Sequence, residues 1–260
     1  MKRILITGAS QGLGQAIAEA LDELGHRTVL SARNAEQLDE VARALQGASV
    51  LPADLADLDK LPHLVEGARQ KMGGLDGLIN CAGTIDPIAT LQDSDPATFG
   101  RAIEVNLTAP ALLMKAALPH LRESQGRIVN VSSGAAIKPM PAWGAYCASK
   151  AGLLMLTSLV ALEAPEVGCF SLRPGVIDTA MQSAIRQSAG MKESDKRRFL
   201  DLHEKGGLEP PEVPARAASW LVLEGPLTLN GQLVEYADEA VKAGVRKLFS
   251  TEKPEAQESL

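Results

Sequence analysis

Two side chains that can exchange a proton lie four residues apart in the segment Tyr146-Cys-Ala-Ser-Lys150. Residues at this spacing share one face of a helix. An ordinary phenol has a pKa of about 10, too high for efficient proton transfer at neutral pH. A neighbouring ammonium would lower that pKa by stabilising the phenolate. The pair predicts acid–base chemistry, although a Tyr-x-x-x-Lys match also arises by chance.

Further polar side chains stand where apolar runs end. Ser133 follows the run 127–132, Asn80 closes the run 75–80, and Asn106 lies in a helical stretch. The carboxyl ends of parallel strands form the edge at which ligands bind in open α/β sheets. The alternative is structural, since a serine there often caps a turn and a helical asparagine often faces solvent.

The segment Thr7-Gly-Ala-Ser-Gln-Gly-Leu-Gly14 follows the apolar run Ile4–Ile6. Glycines let the backbone approach a ligand closely, and the N-terminus of a following helix favours an anion. The glycine spacing differs from the G-x-G-x-x-G of the general dinucleotide-binding fingerprint. The segment predicts a phosphate-binding loop, with a tight strand-to-helix connection as the alternative.

Strands and helices alternate along the chain, as judged from hydrophobic periodicity. The predicted strands are Ile4–Thr7, Thr28–Ala32, Ser49–Pro52, Leu75–Asn80, Arg127–Ser132, Gly168–Arg173 and Gln232–Tyr236. The predicted helices are Gly12–Leu24, Ala35–Leu45, Leu58–Met72, Ala97–Leu118 and Ala145–Ala164. Such alternation predicts an α/β fold with a mostly parallel seven-stranded sheet covered by helices on both faces.

One domain is expected over residues 1–250, since α/β folds of this length commonly remain single. The charged segment Thr179–Pro214 shows no clear strand or helix pattern and interrupts the alternation after the sixth strand. Because it follows the carboxyl end of a strand, we interpret it as a substrate lid. Residues 251–260 form a polar tail.

Composition restricts the class of protein. The chain of 260 residues is 45% hydrophobic and 22% charged, as in an ordinary globular protein. Its formal charge of −6 argues against a nucleic-acid or anionic-membrane partner, and no apolar run approaches the length of a membrane span. Three cysteines without a C-x-x-C pair indicate a reducing compartment, hence the cytoplasm, and the four histidines show no zinc-ligand spacing.

Taken in order, these motifs resemble the short-chain dehydrogenase/reductase family, in its compact single-domain branch. The matching positions are Thr7-Gly-x-x-x-Gly-x-Gly14, Asp54, Asn80-x-Ala-Gly83, Asn106, Ser133, Tyr146-x-x-x-Lys150 and Pro174-Gly-x-x-x-Thr179. The resemblance implies a doubly wound Rossmann fold and a nicotinamide cofactor. Two departures are Cys81, where a second asparagine is usual, and the ending Asn230–Asp238, which replaces the family's Asp-Gly-Gly and puts its usual tetramer contact in doubt.

The resemblance also implies the roles of individual residues. Tyr146 would donate the proton, Lys150 would hold the nicotinamide ribose, Ser133 would bind the substrate oxygen, and Asn106 would hold a water in the proton relay. Asp54 would accept from the adenine amino group, unless it only caps the helix that follows. The implied cofactor-binding residues are Gly8, Ser10, Gln11, Gly12, Leu13, Gly14, Arg33, Asp54, Leu55, Asn80, Ala82, Gly83, Tyr146, Lys150, Pro174, Gly175, Val176, Ile177 and Thr179.

The end of the second predicted strand indicates the choice of cofactor. A carboxylate there binds the ribose 2′-hydroxyl of NAD, whereas a basic residue accepts the 2′-phosphate of NADP. Ala32 stands where an NAD-type aspartate is expected, and Arg33 follows it. The sequence therefore favours NADP over NAD and predicts no metal. The alternative makes Arg33 a solvated surface charge.

The predicted substrate wall is apolar, with Met140, Trp143, Val176 and Met181 beside Ser133. The stretches 131–139 and 174–182 resemble benzil reductases and their sepiapterin-reductase-like relatives, which implies NADPH-dependent reduction of vicinal diketones and similar carbonyls. The competing functions are a non-redox member of the fold, such as an epimerase or dehydratase, and a protein that only senses NADP.

The two long predicted helices, 97–118 and 145–164, carry apolar residues on more than one face. A helix that is apolar all round needs cover on every side, and the sheet covers one side only. The sequence therefore predicts a homodimer built from these helices.

Overall fold

The computed structural model describes residues 1–250 of the chain, so the predicted polar tail 251–260 lies outside the described residues. The strands, numbered along the chain, are β1 Arg3–Thr7, β2 Arg27–Ser31, β3 Ala48–Val50, β4 Gly77–Asn80, β5 Arg127–Val131, β6 Gly168–Arg173 and β7 Leu233–Glu235. The helices are α1 Gly12–Glu23, α2 Ala35–Arg43, α3 Leu61–Met72, α4 Pro96–Ile103, α5 Ala109–Ser124, α6 Gly144–Glu163, α7 Ala180–Gln187, α8 Glu193–Glu204, α9 Glu212–Glu224 and α10 Glu239–Phe249.

The seven strands form one sheet in the order β3-β2-β1-β4-β5-β6-β7, and every neighbouring pair is parallel. The predicted α/β fold class is confirmed, with a sheet that is parallel throughout rather than mostly so. The strand order reverses between β1 and β4. Ligands in such sheets bind at this reversal, outside the carboxyl ends of the strands.

Helices cover both faces of the sheet and bury two apolar clusters. One cluster joins the sheet to α1, α9 and α10, and the other joins it to α3, α5 and α6. Ile4, Leu5 and Ile6 are all fully buried because side chains of both faces are covered. A central parallel strand that is covered on both faces therefore has consecutive apolar residues rather than alternating apolar and polar ones.

The long helix predicted at Ala97–Leu118 is interrupted. Between α4 and α5, residues Glu104–Thr108 form a π-helical turn, and α5 continues through Pro119 to Ser124. A π turn inserts one extra residue into the helical hydrogen-bond ladder and often occurs at functional sites. The predicted end at Leu118 is wrong, and the turn holds Asn106.

The segment Thr179–Pro214, which we interpret as a substrate lid, is largely helical. It contains α7 and α8, and α9 begins within it. The first turn of α8 carries Glu193 and Asp195, which favour a helix N-terminus. These helices bury few residues, among them Ile185 and Phe199, so the apolar period was hidden by charged neighbours.

The expectation that no apolar run reaches the length of a membrane span is wrong for α6. This helix of 20 residues is long and apolar enough to cross a membrane by length and composition. It packs on β6 and α4, however, and buries Ala145, Leu153 and Val160. Part of its apolar surface therefore belongs to the core of the fold.

Candidate active site

A cavity of about 1200 Å³ opens at the carboxyl ends of the strands. This volume exceeds the range of about 300–1,000 Å³ typical of small-molecule sites. Its wall comes from the loop after β1, the ends of β2 and β4, the segments after β5 and β6, and helices α6, α7 and α8. Its lining residues extend across the strand reversal, from the end of β2 to the end of β6.

The glycine loop forms one side of this cavity. Gly8 has a φ of +70°, and a Cβ built there would lie 2.7 Å from the Cα of Ala82. A Cβ on Gly14 would overlap the carbonyl oxygen of Gly8. Side chains are thus excluded at both positions. The loop is further held to the end of β4 because the Thr7 hydroxyl accepts hydrogen bonds from the backbone N–H groups of Cys81 and Ala82 at 3.2 and 3.3 Å.

Helix α1 starts directly from this loop, at Gly12. Its N-cap residue, Gln11, is extended and makes no side-chain capping bond. The first N–H groups of the helix are therefore available to a ligand, and the helix dipole favours an anion there. A glycine-rich loop that ends at an uncapped helix N-terminus fits the pyrophosphate of a dinucleotide.

Tyr146 and Lys150 lie on one face of α6, near the middle of the cavity. Both are more than nine-tenths buried. Lys150 Nζ donates a 2.7 Å hydrogen bond to the carbonyl oxygen of Val131, the last residue of β5, and lies 5.7 Å from the centroid of the Tyr146 ring. The Ser133 hydroxyl, which accepts from the Ala135 N–H at 3.1 Å, also interacts with the Tyr146 phenol. The structure thus brings these three predicted residues together.

The structure corrects the expectation that Lys150 lowers the pKa of Tyr146. Burial raises the pKa of the phenol to about 12, and the neighbouring Ser133 hydroxyl opposes this only in part. Burial also lowers the pKa of Lys150 to about 8, with a smaller opposing effect from Cys81. At neutral pH the phenol keeps its proton and Lys150 is an ammonium, which suits Tyr146 as a proton donor.

Asn106 does not reach the cavity wall with its side chain. It is fully buried in the π turn, where its Oδ1 accepts from the Thr84 N–H at 2.8 Å. Its Nδ2 donates to the Thr84 carbonyl at 2.8 Å and to the Ser149 hydroxyl at 3.2 Å. The side chain braces the segment after β4 against α6. Its role in a water relay stays a prediction.

Asn80 also lies away from the cavity, unlike the other predicted cofactor-binding residues. It is paired in register with Asn130 of β5, and its Nδ2 donates to Asn130 Oδ1 at 2.8 Å. Asn130 in turn donates to Thr157 of α6 at 2.9 Å. The Asn80 side chain thus belongs to a buried amide network between β4, β5 and α6, and a contact of Asn80 with the cofactor stays a prediction. All other predicted cofactor-binding residues line the cavity.

The far end of the cavity, beside β2, carries charged side chains. Arg33 is exposed, lies one residue before Asn34, the N-cap of α2, and lines the cavity. Asp54 lines it too, but pairs with Arg101 of α4 at 2.6 Å. Arg101 was missed by sequence reasoning, because nothing in its local pattern distinguishes it from a solvated helix charge.

The opposite end of the cavity, beside α6, is apolar and aromatic. Trp143 stacks on Phe199 of α8, with ring centroids 5.4 Å apart, and meets Tyr146 edge-on at 5.7 Å. The predicted substrate-binding residues line this cavity, namely Ser133, Met140, Trp143, Val176 and Met181. Phe199 and Ile185 were missed, although an isolated phenylalanine in the charged stretch 193–204 was a usable signal.

No three His, Cys, Asp or Glu side chains lie close enough to hold a metal ion within residues 1–250. The cysteines Cys81, Cys147 and Cys169 are all unpaired thiols. Burial raises the pKa of Cys81 to about 12, so this thiol beside Lys150 stays protonated.

The model of the short chain dehydrogenase family matches residues 2–190 of the chain. The match covers the glycine loop, Ser133, Tyr146 and Lys150, and with the parallel sheet and the cavity it defines the class. The chain belongs to the short-chain dehydrogenase/reductase family, and the relatives it matches are oxidoreductases.

Two of the similar proteins are benzil reductases. A benzil reductase ((S)-benzoin forming) of Saccharomyces cerevisiae is 36% identical over 254 residues, covering 92% of this chain and 97% of the relative. A benzil reductase ((S)-benzoin forming) of Bacillus cereus is 34% identical over 229 residues, covering 84% and 92%. The predicted resemblance to benzil reductases is confirmed.

Solved structures agree with the fold. The KRED1-Pglu enzyme is 36% identical, with a TM-score of 0.87 over 90% of this chain and 100% of that protein. An alcohol dehydrogenase from the archaeon Thermococcus sibiricus, complexed with 5-hydroxy-NADP, is 26% identical, with a TM-score of 0.77 over 90% and 95%.

The low pKa of Lys150 predicts a pH dependence of carbonyl reduction. Lys150 loses its charge as the pH rises through about 8, whereas Tyr146 keeps its proton to about 12. We expect kcat/KM to fall as the pH rises through about 8, and Lys150→Arg, which stays charged, to remove this falling limb. The measurement is the pH profile of kcat/KM for both proteins between pH ~6 and ~10. A wild-type profile that stays flat through this range contradicts the expectation.

Proposed function

We propose that this protein is an NADPH-dependent carbonyl reductase that acts on an apolar ketone, a vicinal diketone or a related carbonyl. The observation that carries the proposal is the convergence of Ser133, Tyr146 and Lys150 between a phosphate cradle and an aromatic wall. The bound dinucleotide supplies the hydride. The similarity to benzil reductases supports the choice of a diketone or related substrate.

The three side chains divide the remaining work. Ser133 donates a hydrogen bond to the substrate carbonyl oxygen, and Tyr146 delivers its phenolic proton to the same oxygen. Lys150 supplies a buried ammonium for the ribose of the nicotinamide nucleotide and is held by the Val131 carbonyl. The high pKa of Tyr146 supports its role as a donor in the direction of reduction.

The cofactor choice rests on the cavity end beside β2. Ala32 has no carboxylate to bind a free 2′-hydroxyl or repel a phosphate, and Arg33 lines the cavity beside it. The structurally similar alcohol dehydrogenase was solved with an NADP derivative, which supports the same choice here. For Asp54 we keep the proposed contact with the adenine amino group.

The segment 179–214 would close over the substrate. Its helices α7 and α8 bring Met181, Ile185 and Phe199 to the apolar end of the cavity. Closure by such a segment excludes water from the reacting carbonyl and completes the wall. The unpaired thiols of the chain support a reducing compartment such as the cytoplasm.

Two other functions are distinguished by one assay. A protein that only senses NADP would bind NADPH and oxidise none of it with any carbonyl, and a non-redox enzyme would change a substrate without net loss of NADPH. We expect loss of NADPH absorbance with vicinal diketones in a panel of carbonyl compounds. No loss with any member of the panel would refute the proposed reaction.

Replacing the proposed proton donor should separate chemistry from binding. Tyr146→Phe should lower kcat by roughly 10²–10⁴-fold, because the ring remains but the proton is gone. NADPH affinity, measured by calorimetry, should change little. The matched control is Tyr236→Phe, since the chain's other tyrosine does not line the cavity. Turnover of Tyr146→Phe within about tenfold of wild type would rule out the assignment.

Replacing Arg33 should weaken one cofactor and spare the other. Arg33→Ala should weaken NADPH by roughly ten- to a hundredfold, because a charge-assisted contact with the 2′-phosphate is lost, while NADH should barely change. Adding Ala32→Asp should reverse the preference. The measurement is the ratio of kcat/KM for the two cofactors, with Arg43→Ala of the same helix region as control. A wild type that prefers NADH, or equal weakening of both cofactors, would show that Arg33 is only a surface charge.

We also propose a homodimer through the helical regions 97–118 and 145–164. On α6, Met155, Leu159 and Leu162 expose 70%, 42% and 80% of their surfaces on one side of the helix. A continuous apolar face of this kind indicates a protein interface.

A charge introduced into this proposed interface should separate the two subunits. Light scattering at micromolar concentration should give the mass of a dimer for wild type and of a monomer for Leu159→Glu, because a carboxylate would be buried without a partner. Leu227→Glu, at a leucine that is 50% exposed elsewhere, should remain dimeric. A monomeric wild type would refute the proposal.

A further inference from the structure

Three charged side chains, Arg33, Asp54 and Arg101, line the cavity at its β2 end. Arg101 Nη2 donates to Asp54 Oδ2 at 2.6 Å. Arg33 forms no hydrogen bond or ion pair with any residue of the described range 1–250. The Asp54 carboxylate thus pairs with the guanidinium group of Arg101 and leaves that of Arg33 without a partner among the described residues.

The turn after β3 explains which carboxylate oxygen of Asp54 accepts the hydrogen bond from Arg101. Asp54 Oδ1 accepts from the backbone N–H of Ala56 at 3.0 Å, so the carboxylate is held by its own loop. Its other oxygen is then offered to α4, where Arg101 is the last basic residue of the helix. The pKa of Asp54 is lowered, and the hydrogen bond from Ala56 is the largest cause. The hydrogen bond and charge of Arg101 lower this pKa further, and so does the charge of Arg33. Asp54 therefore lies within electrostatic reach of both arginines.

We propose that Arg101 is a positioning residue for cofactor selectivity, which keeps Asp54 away from Arg33 so that Arg33 can bind the 2′-phosphate of NADPH. The inference rests on the proposed NADP preference of the same site. With Arg101 present, the three side chains carry one net positive charge. Without it, the carboxylate would compete for Arg33 and repel the phosphate.

This role concerns the ratio of the two cofactors. NADH has no 2′-phosphate, so the state of Arg33 hardly affects it, and any contact of Asp54 with the adenine is common to both cofactors. The selectivity ratio, Kd for NADH divided by Kd for NADPH, isolates the proposed effect. Because Arg101 and Asp54 are 44% and 42% exposed, solvent screens the interaction, and we expect a change of roughly three- to tenfold.

The test measures both dissociation constants by calorimetry on the full chain. Arg101→Ala should lower the selectivity ratio roughly three- to tenfold, mainly through weaker NADPH binding. The double variant Arg101→Ala/Asp54→Asn should have the same selectivity ratio as the single variant Asp54→Asn, because no carboxylate then competes for Arg33. Arg101→Lys should keep most of the wild-type ratio. Arg122→Ala, which breaks a pair with Glu166 outside the cavity, is the matched control.

Each outcome bears on the inference. An unchanged ratio in Arg101→Ala overturns it. A lowered ratio that Asp54→Asn does not restore also overturns it, because Arg101 would then contact the phosphate itself. Arg33→Ala separates this from a wrong cofactor assignment. If Arg33→Ala lowers the ratio and Arg101→Ala does not, only the inference fails. If Arg33→Ala leaves the ratio unchanged, the proposed NADP preference fails as well.

Discussion

The buried ammonium of Lys150 is the constraint on which the centre of this protein depends. A cation that is 4% exposed loses most of its hydration, and its pKa falls to about 8 for that reason. Its position is held by one hydrogen bond to the Val131 carbonyl, at the point where β5 ends. A Cβ on Gly83, in the segment after β4, would lie 3.2 Å from Asn106 Oδ1 and would crowd that buried amide. The end of β5 and the Lys150 face of α6 thus meet at one buried charge.

The same cavity has two different electrostatic ends. Beside β2, cationic side chains surround a single carboxylate, which favours a ligand with additional negative charge. Beside α6, Trp143, Tyr146 and Phe199 form an aromatic wall. An extended molecule with phosphates at one end and a flat reactive group at the other fits this gradient. The apolar wall then favours a substrate that presents little charge next to its carbonyl.

Two buried polar networks hold α6 against the sheet. Asn106 ties the segment after β4 to α6 through Thr84 and Ser149. Asn130 links Asn80 of β4 to Thr157 of the same helix. Both networks replace water inside the protein, and an unpaired amide there would be costly. The helix that carries Tyr146 and Lys150 is therefore held against two neighbouring strands by hydrogen bonds as well as by apolar packing.

The sequence by itself determined the sheet and the glycine loop, because local hydrophobic period and residue spacing encode them, and its resemblance to a known family indicated the grouping of Ser133, Tyr146 and Lys150. Only the tertiary structure decided that Asn80 faces Asn130 rather than the cavity, that Asp54 pairs with Arg101, and that burial raises the pKa of Tyr146. Each of these depends on residues distant in the chain. Hydrogen-bond partners and desolvation follow from strand register and helix packing, which no local pattern contains.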